Sequence, residues 1–437
     1  MHTSIYDDSV VRQAADIPGV YGNVDFTIVP ERYDAAATAD DARFAPVRDA
    51  IARVLDQPAL MTVIRDATMR GDRWADAYAA LIPQHGLRNL IEMLDMACAE
   101  GVDAVVDAPQ ELRDLIAAME ATPDWVDMDL VEAGARAERI NMAVTSPLAI
   151  RGAFLATFLN KYAALPMTMT GTLSNEAAAK RVFETASFFT ATTLPGALRR
   201  DGKGFAAAAK VRLMHSMVRF HLLSSGRWDV ATYGIPIPQV DQMPAGLIGV
   251  FLMAADVMRK GRTEFTAEER AKAELSRYRC FLLGLPENLL GETPQEIVDL
   301  LMARHASLRD AYDDEICGSL VRGTMQIDLF DTSTVRGKLH DWLEGGFSRF
   351  VLIKSFLGGD ADRAESIGIE FGPRHKAAAG AAVAVLTAKT VGYRLGLQLP
   401  GVSGAVDRRL NARIARLLDS YGHADFVTDP AQYKIAA

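Results

Sequence analysis

Lys210-Val211-Arg212-Leu213-Met214-His215-Ser216-Met217-Val218-Arg219-Phe220-His221, inside the stretch Gly204 to Ser225, decides how the chain reads. At about 100° per residue, Val211, Met214, Val218 and Leu222 form an apolar arc with His215 at its margin. Arg212 and Arg219 lie beside His215 at helical steps of three and four. Leu213, Met217 and Phe220 make the far side apolar as well, so the stretch predicts a helix buried over most of its circumference. Two guanidinium groups in such a place cost several kcal/mol (roughly, by desolvation) unless each meets an anion. Two readings answer that need. Asp or Glu from neighbouring helices can bridge the arginines around a core histidine, or a haem can supply propionates for the arginines and iron for the imidazole. His221 points well around the helix from His215, so the two do not share one metal.

Working outward, Leu87 to Cys98, Gln110 to Glu120 and Val131 to Met142 carry apolar residues at three- and four-residue steps, with Gly or Pro between segments. Period-two alternation is scarce, and the class expected is all-α. The weak joints are Pro123-Asp124-Trp125 and Gly358-Gly359-Asp360. They suggest an amino-terminal helical extension (1–122), a central core (123–330) and a carboxy-terminal extension (331–437), packed as one body.

The 437 residues are 49% apolar and 24% charged, which suits a folded globular chain and excludes disorder and disulfide scaffolds. A net charge of −9 argues against nucleic acid as a partner. Cys98, Cys280 and Cys317 are odd in number and far apart, and the polar start Met1 to Val10 shows no export pattern, so a cytoplasmic protein is expected. Ala377 to Ala388 is uncharged over twelve residues, short of the roughly 20 a spanning helix needs, and reads as a packed core helix rather than a stable membrane insertion.

Other chemistries lack their motifs. Gly202-Lys203-Gly204-Phe205-Ala206-Ala207 fits a loose GxGxxA, but no strand precedes it. No Glu-x-x-His pair, HExxH or GxSxG is present. A second face does carry chemistry. Ser174 or Asn175 can cap a helix in which Arg181, Glu184, Thr185 and Phe188 recur at steps of three and four. That face offers a cation, a carboxylate, a hydroxyl and an aromatic ring; it is either an intrahelical Arg181 to Glu184 pair or the polar wall of a pocket.

Arg212-Leu213-Met214-His215 with Arg219, then Trp228-Asp229, then Gly234-Ile235-Pro236-Ile237-Pro238-Gln239 and Asp241, resembles the MpaB-type and rubber oxygenase (latex-clearing protein) family. Trp125-Val126-Asp127, Thr170-Gly171-Thr172-Leu173 and Arg181 with Thr185 fit the same resemblance, which covers about Pro123 to Phe330. It implies a haem b on a globin-like helical core, with O₂ as co-substrate and oxidative cleavage of C=C bonds. On that resemblance His215 is the iron ligand, and Arg212 and Arg219 brace its helix and pair with propionates or carboxylates. Arg181 and Thr185 line the oxygen side. Two departures stand out. Glu184 occupies the place of a lysine, and Leu165 that of a glutamate proposed as base, which leaves Glu184 to serve instead. The expected substrate is a small hydrophobic unsaturated molecule such as a terpenoid, lipid or aromatic metabolite, lined by Met167, Met169, Leu173, Phe188 and Phe189. An electron donor is a further partner such chemistry can require; the sequence leaves the oligomeric state open. The competing readings are a haem- or apolar-ligand-binding protein without turnover and a peroxide-dependent haem oxidase.

Overall fold

The computed structural model describes residues 5–170 and 175–421, with the side chains of residues 175–179 outside the description. Among the described residues there is no strand, and Tyr33 and Leu308 form an isolated bridge between two loops. The all-α expectation holds. Ten of the helices carry the architecture: α1 (Arg73–Ala79), α2 (Ser146–Ala156), α3 (Asn175–Ala191), α4 (Lys203–Ser224), α5 (Gln239–Arg259), α6 (Ala267–Leu282), α7 (Pro294–Ser307), α8 (Val335–Phe356), α9 (Pro373–Gln398) and α10 (Ser403–Ser420).

The chain forms two compact units that are not consecutive in sequence: 5–134 with 198–310, and 135–197 with 311–421. The sequence reading put joints near 123 and 330; the chain instead crosses between units at 134, 197 and 310. The first crossing falls inside the helix Met128–Ile140, at Gly134, which does not interrupt the helix. Gly358 and Gly359 do form a turn, with φ of 66° and 86°, but inside the second unit, after α8.

In the first unit α4 packs on α1, and α5 lies against α6 and α7. Start signals explain where these helices begin. Thr266 and Glu269 close a capping box on α6, and Thr293 and Glu296 close another on α7, whose first residue is Pro294. Tyr6, Val10, Tyr21, Phe26, Met69 and Ile235 form a core beneath α4 that the amino-terminal segment supplies. By length and composition α5 is apolar enough to cross a membrane, and it packs as a core helix of this unit.

In the second unit α8 is central, with α2 on one side and α9 on the other. The α8–α9 approach requires glycine. A Cβ on Gly346 would stand 2.5 Å from the Ala378 Cβ and 2.7 Å from the His375 carbonyl oxygen. The uncharged run Ala377 to Ala388 therefore is core on one face only. Ala378, Ala379, Ala382 and Leu386 are buried, while Val383 and Val385 on the same helix are exposed.

Candidate functional site

On α4, Arg212 and Arg219 are buried and His215 is half-buried. The imidazole Nδ1 lies 3.1 Å from the Gln242 side chain of α5, and a chain of amides fixes its protonation. The Gly71 carbonyl can only accept, so it takes a hydrogen bond from Gln239 Nε2 at 3.0 Å. That leaves Gln239 Oε1 to accept from Gln242 Nε2 at 3.1 Å, and turns the Gln242 oxygen toward His215. Nδ1 is then a protonated nitrogen, and in the neutral ring the lone pair sits on Nε2. A ring held this way is prepared to ligate a metal through Nε2, with its orientation set from behind.

The arginines beside it find their anions within the chain. Arg212 forms a two-pronged pair with Asp72, 2.6 Å from Nε to Oδ2 and 2.7 Å from Nη2 to Oδ1. Arg219 Nη1 donates to Asp76, its Nε to the Pro236 carbonyl at 3.1 Å and its Nη2 to the Ile237 carbonyl at 2.7 Å. Tyr21 donates to the other Asp76 oxygen at 2.5 Å. Burial pushes the Asp76 carboxyl up, and the Arg219 guanidinium opposes this. Asp72 caps α1 and Asp76 lies one turn on, so a short helix presents both carboxylates to one side of α4. Of the two pairings expected for Arg212 and Arg219, propionates or carboxylates, the second is present, with Asp72 and Asp76 as the partners. Gly284, at φ 88°, makes room for the first pair, since a Cβ there would stand 2.4 Å from Asp72 Oδ2.

The downstream motif closes the same structure. Trp228 donates through its indole nitrogen to the Gly234 carbonyl at 2.7 Å. Pro236 and Ile237 cap Arg219 with their carbonyls, and Ile237 does so at φ 47°, a left-handed conformation a β-branched residue adopts only under constraint. Asp241 pairs with the buried Arg32 through both oxygens, at 3.0 and 2.5 Å. Trp125 packs under the Arg277 guanidinium, 4.2 Å from the ring centroid, in the first unit.

Arg181, Glu184 and Thr185 share α3 in the second unit. Glu184 is buried, and burial pushes its carboxyl up, with Arg181 and then Lys180 acting in the opposite direction. Its ion-pair contact is to Lys180, 3.9 Å away, rather than the expected Arg181 pair within the helix. Arg181 and Thr185 are half-buried. Further along α3, Ser187 Oγ and Thr190 Oγ1 are buried without a hydrogen-bond partner. Phe188 is buried edge-on to Phe189 at 5.2 Å, and Met167 packs on the core of this unit. Leu165 and Met169 are half-buried on the helix Lys161–Met169. Gly171, Thr172, Leu173 and Ser174, and the Asn175 side chain, lie outside the described residues.

Sequence reasoning missed Gln242, Asp72, Asp76 and Tyr21. Gln242 follows the motif residue Gln239 at a helical step of three, which was the available signal. The two aspartates are 140 and 143 residues from their arginines and gave none.

The site is thus a helical one, in which an inner helix carries His215 between two buried arginines paired with carboxylates. Residues 140–388 match the family described as ER-bound oxygenase mpaB/B'/Rubber oxygenase, catalytic domain, and the chain belongs to that family. The solved structure of latex clearing protein LCP in the closed state has a similar fold. Its TM-score is 0.54 at 19% identity, over 80% of this chain and 91% of that one. No curated protein matches the sequence.

Proposed function

We propose that this oxygenase uses haem b, held through His215 Nε2, to cleave C=C bonds of a small hydrophobic unsaturated substrate with O₂. The observation that carries the reading is the amide chain from Gly71 through Gln239 and Gln242, which sets an acceptor against His215 Nδ1 and leaves Nε2 as the nitrogen to ligate a metal. The donor set fits the group. His215 would supply one imidazole ligand to the iron and the porphyrin the remaining nitrogens. When bound, the haem supplies O₂ activation. Arg212 and Arg219, anchored to Asp72 and Asp76, hold α4 and hence the imidazole in place. Arg181 and Thr185, on α3, carry the hydrogen-bond donors that the family resemblance assigns to the oxygen side. Glu184, whose carboxyl burial pushes above the ordinary range, is suited to take or return a proton.

Protein purified or reconstituted with haem is expected to show a Soret band that His215→Ala loses while its helical circular dichroism stays intact. Folded wild-type protein that takes up no haem overturns the reading. Oxygen uptake on a panel of terpenes, unsaturated lipids and polyisoprene tests the substrate. Glu184→Gln is expected to lose turnover and keep the Soret band. A second reading, a haem protein without turnover, draws on the Glu184 and Leu165 departures from the family pattern, and haem uptake with no oxygen consumption across the panel would favour it.

A further inference from the structure

The first unit holds a cleft of about 320 Å³, bounded by the amino-terminal segment, the start of α1, Arg212 of α4 and the turn after α6. Ligand pockets run from roughly 300 to 1,000 Å³, so this one suits a small molecule. The oxygenase chemistry does not use it. Ile17 and Leu285 give the cleft a buried apolar lining, and Trp74, Phe281 and Ala118 add half-buried apolar surface.

Four arginines line the same cleft, and each keeps donors open. Arg212 is 4% exposed and pairs with Asp72 through Nε and Nη2, which leaves the two Nη1 protons without an acceptor among the described residues. Arg70 Nη2 donates to the Ser9 hydroxyl at 3.1 Å, but its carboxylate neighbour, Asp7, stands 3.8 Å away. Arg73 reaches Asp16 only at 3.8 Å. Both separations exceed hydrogen-bond reach. Arg12 donates through Nε to the Asp8 carbonyl at 3.3 Å and forms no ion pair among the described residues. The carboxylates of the lining do not answer these cations. Asp72 has both oxygens on Arg212, Asp16 makes only the loose contact, and Glu287 is exposed and pairs with none of the four. Buried Gln13 is already satisfied, since it donates to the Val10 and Met69 carbonyls and accepts from the Gly71 N–H, each at 2.9 Å. Open guanidinium donors beside an aliphatic and aromatic lining require a ligand that is anionic at one end and apolar at the other.

We propose that this cleft binds a small organic carboxylate, with the carboxylate on Arg212 Nη1, Arg70 and Arg73 and the apolar body against Ile17, Trp74 and Leu285. Two lining residues also belong to the structure behind His215. The Gly71 carbonyl begins the amide chain through Gln239 and Gln242, and Asp72 holds α4 through Arg212. A ligand in the cleft therefore joins the amino-terminal segment to α1 and α4, and it stabilises the first unit whether or not haem is bound.

Thermal melts and tryptophan fluorescence of the full chain as purified test this, with benzoate, phenylacetate and octanoate as probes. Each probe is expected to raise the melting temperature saturably, as a ligand of the folded state does. Benzoate should also quench Trp74 emission, and Trp74→Phe should remove the quenching while the thermal shift remains. Benzamide, the neutral counterpart of benzoate, should do neither at the same concentration. Arg70→Gln and Arg73→Gln should each weaken benzoate about tenfold, the loss of one charge-assisted hydrogen bond. Ala118→Phe, which fills the cleft from its apolar side, should abolish binding, with circular dichroism confirming that each variant is folded. No saturable shift with any of the three carboxylates overturns the proposal. So does an equal shift with benzamide, which would assign an apolar pocket without anion recognition. An equal shift with inorganic phosphate, beyond that of sodium chloride at the same ionic strength, overturns it in favour of a bare oxyanion site. Carboxylate binding that Arg73→Gln and Ala118→Phe both leave unchanged would place the ligand elsewhere and overturn it as well.

Discussion

Asp76 is the side chain on which α4 most depends, because it is fully buried and joins Tyr21 to Arg219. Asp76→Ala leaves a buried guanidinium without its carboxylate, and urea unfolding should show a loss of about 3–5 kcal/mol. Gln242→Leu should cost about 1–3 kcal/mol in urea unfolding, because the buried Gln239 Oε1 loses its donor, and lower haem affinity about 10–100-fold in titration, the usual effect of removing the group behind a metal-ligating histidine. Gln242→Glu, which keeps an acceptor, should restore most of it. Glu184 gives a pH test. Its folded pKa is raised by burial above the ordinary 4.5, so its contribution to stability is full below that value and is lost as pH rises through the folded value. Relative to wild type, Glu184→Gln should therefore gain stability between acid and neutral pH, as measured by thermal melts at each pH. At this scale the sequence revealed what one helix could hold. Arg212, His215 and Arg219 were legible because three- and four-residue steps placed them together, whereas Asp72 and Asp76 meet them only through the tertiary fold.

Elements were legible wherever one face is buried against another helix, and less so where the neighbour mattered. The capped starts of α6 and α7 follow from Thr266 with Glu269 and Thr293 with Glu296. The alanine-rich run in α9 reads the same whether one face is buried or all of them, since alanine marks neither side, and its exposed arc became visible only once α8 was in place. The contact between these two helices depends on Gly346. Gly346→Val forces α9 away from α8, and a destabilisation of about 1–3 kcal/mol, as for overpacking, is expected in urea unfolding.

For the whole molecule, the net charge of −9 argues against nucleic acid as a general partner but is a poor guide to any one surface, since an average over 437 residues conceals residues 373–420, with eight Arg and Lys against two Asp. The all-α class was legible because helical periodicity runs through nearly the whole chain, and the family resemblance rested on motifs close together in sequence. The two-unit division was not legible, since it is made by contacts between distant segments and one crossing lies within a continuous helix. That crossing pattern also bears on synthesis. The first unit cannot finish folding when residue 134 leaves the ribosome, because its remaining share, residues 198–310, follows the start of the second unit. At typical elongation rates the interval from residue 134 to residue 310 is roughly 10–35 s. During that time α1 holds Asp72 and Asp76 ready for arginines not yet made, so a nascent chain stalled before Arg212 exposes a half-built site for chaperones to cover.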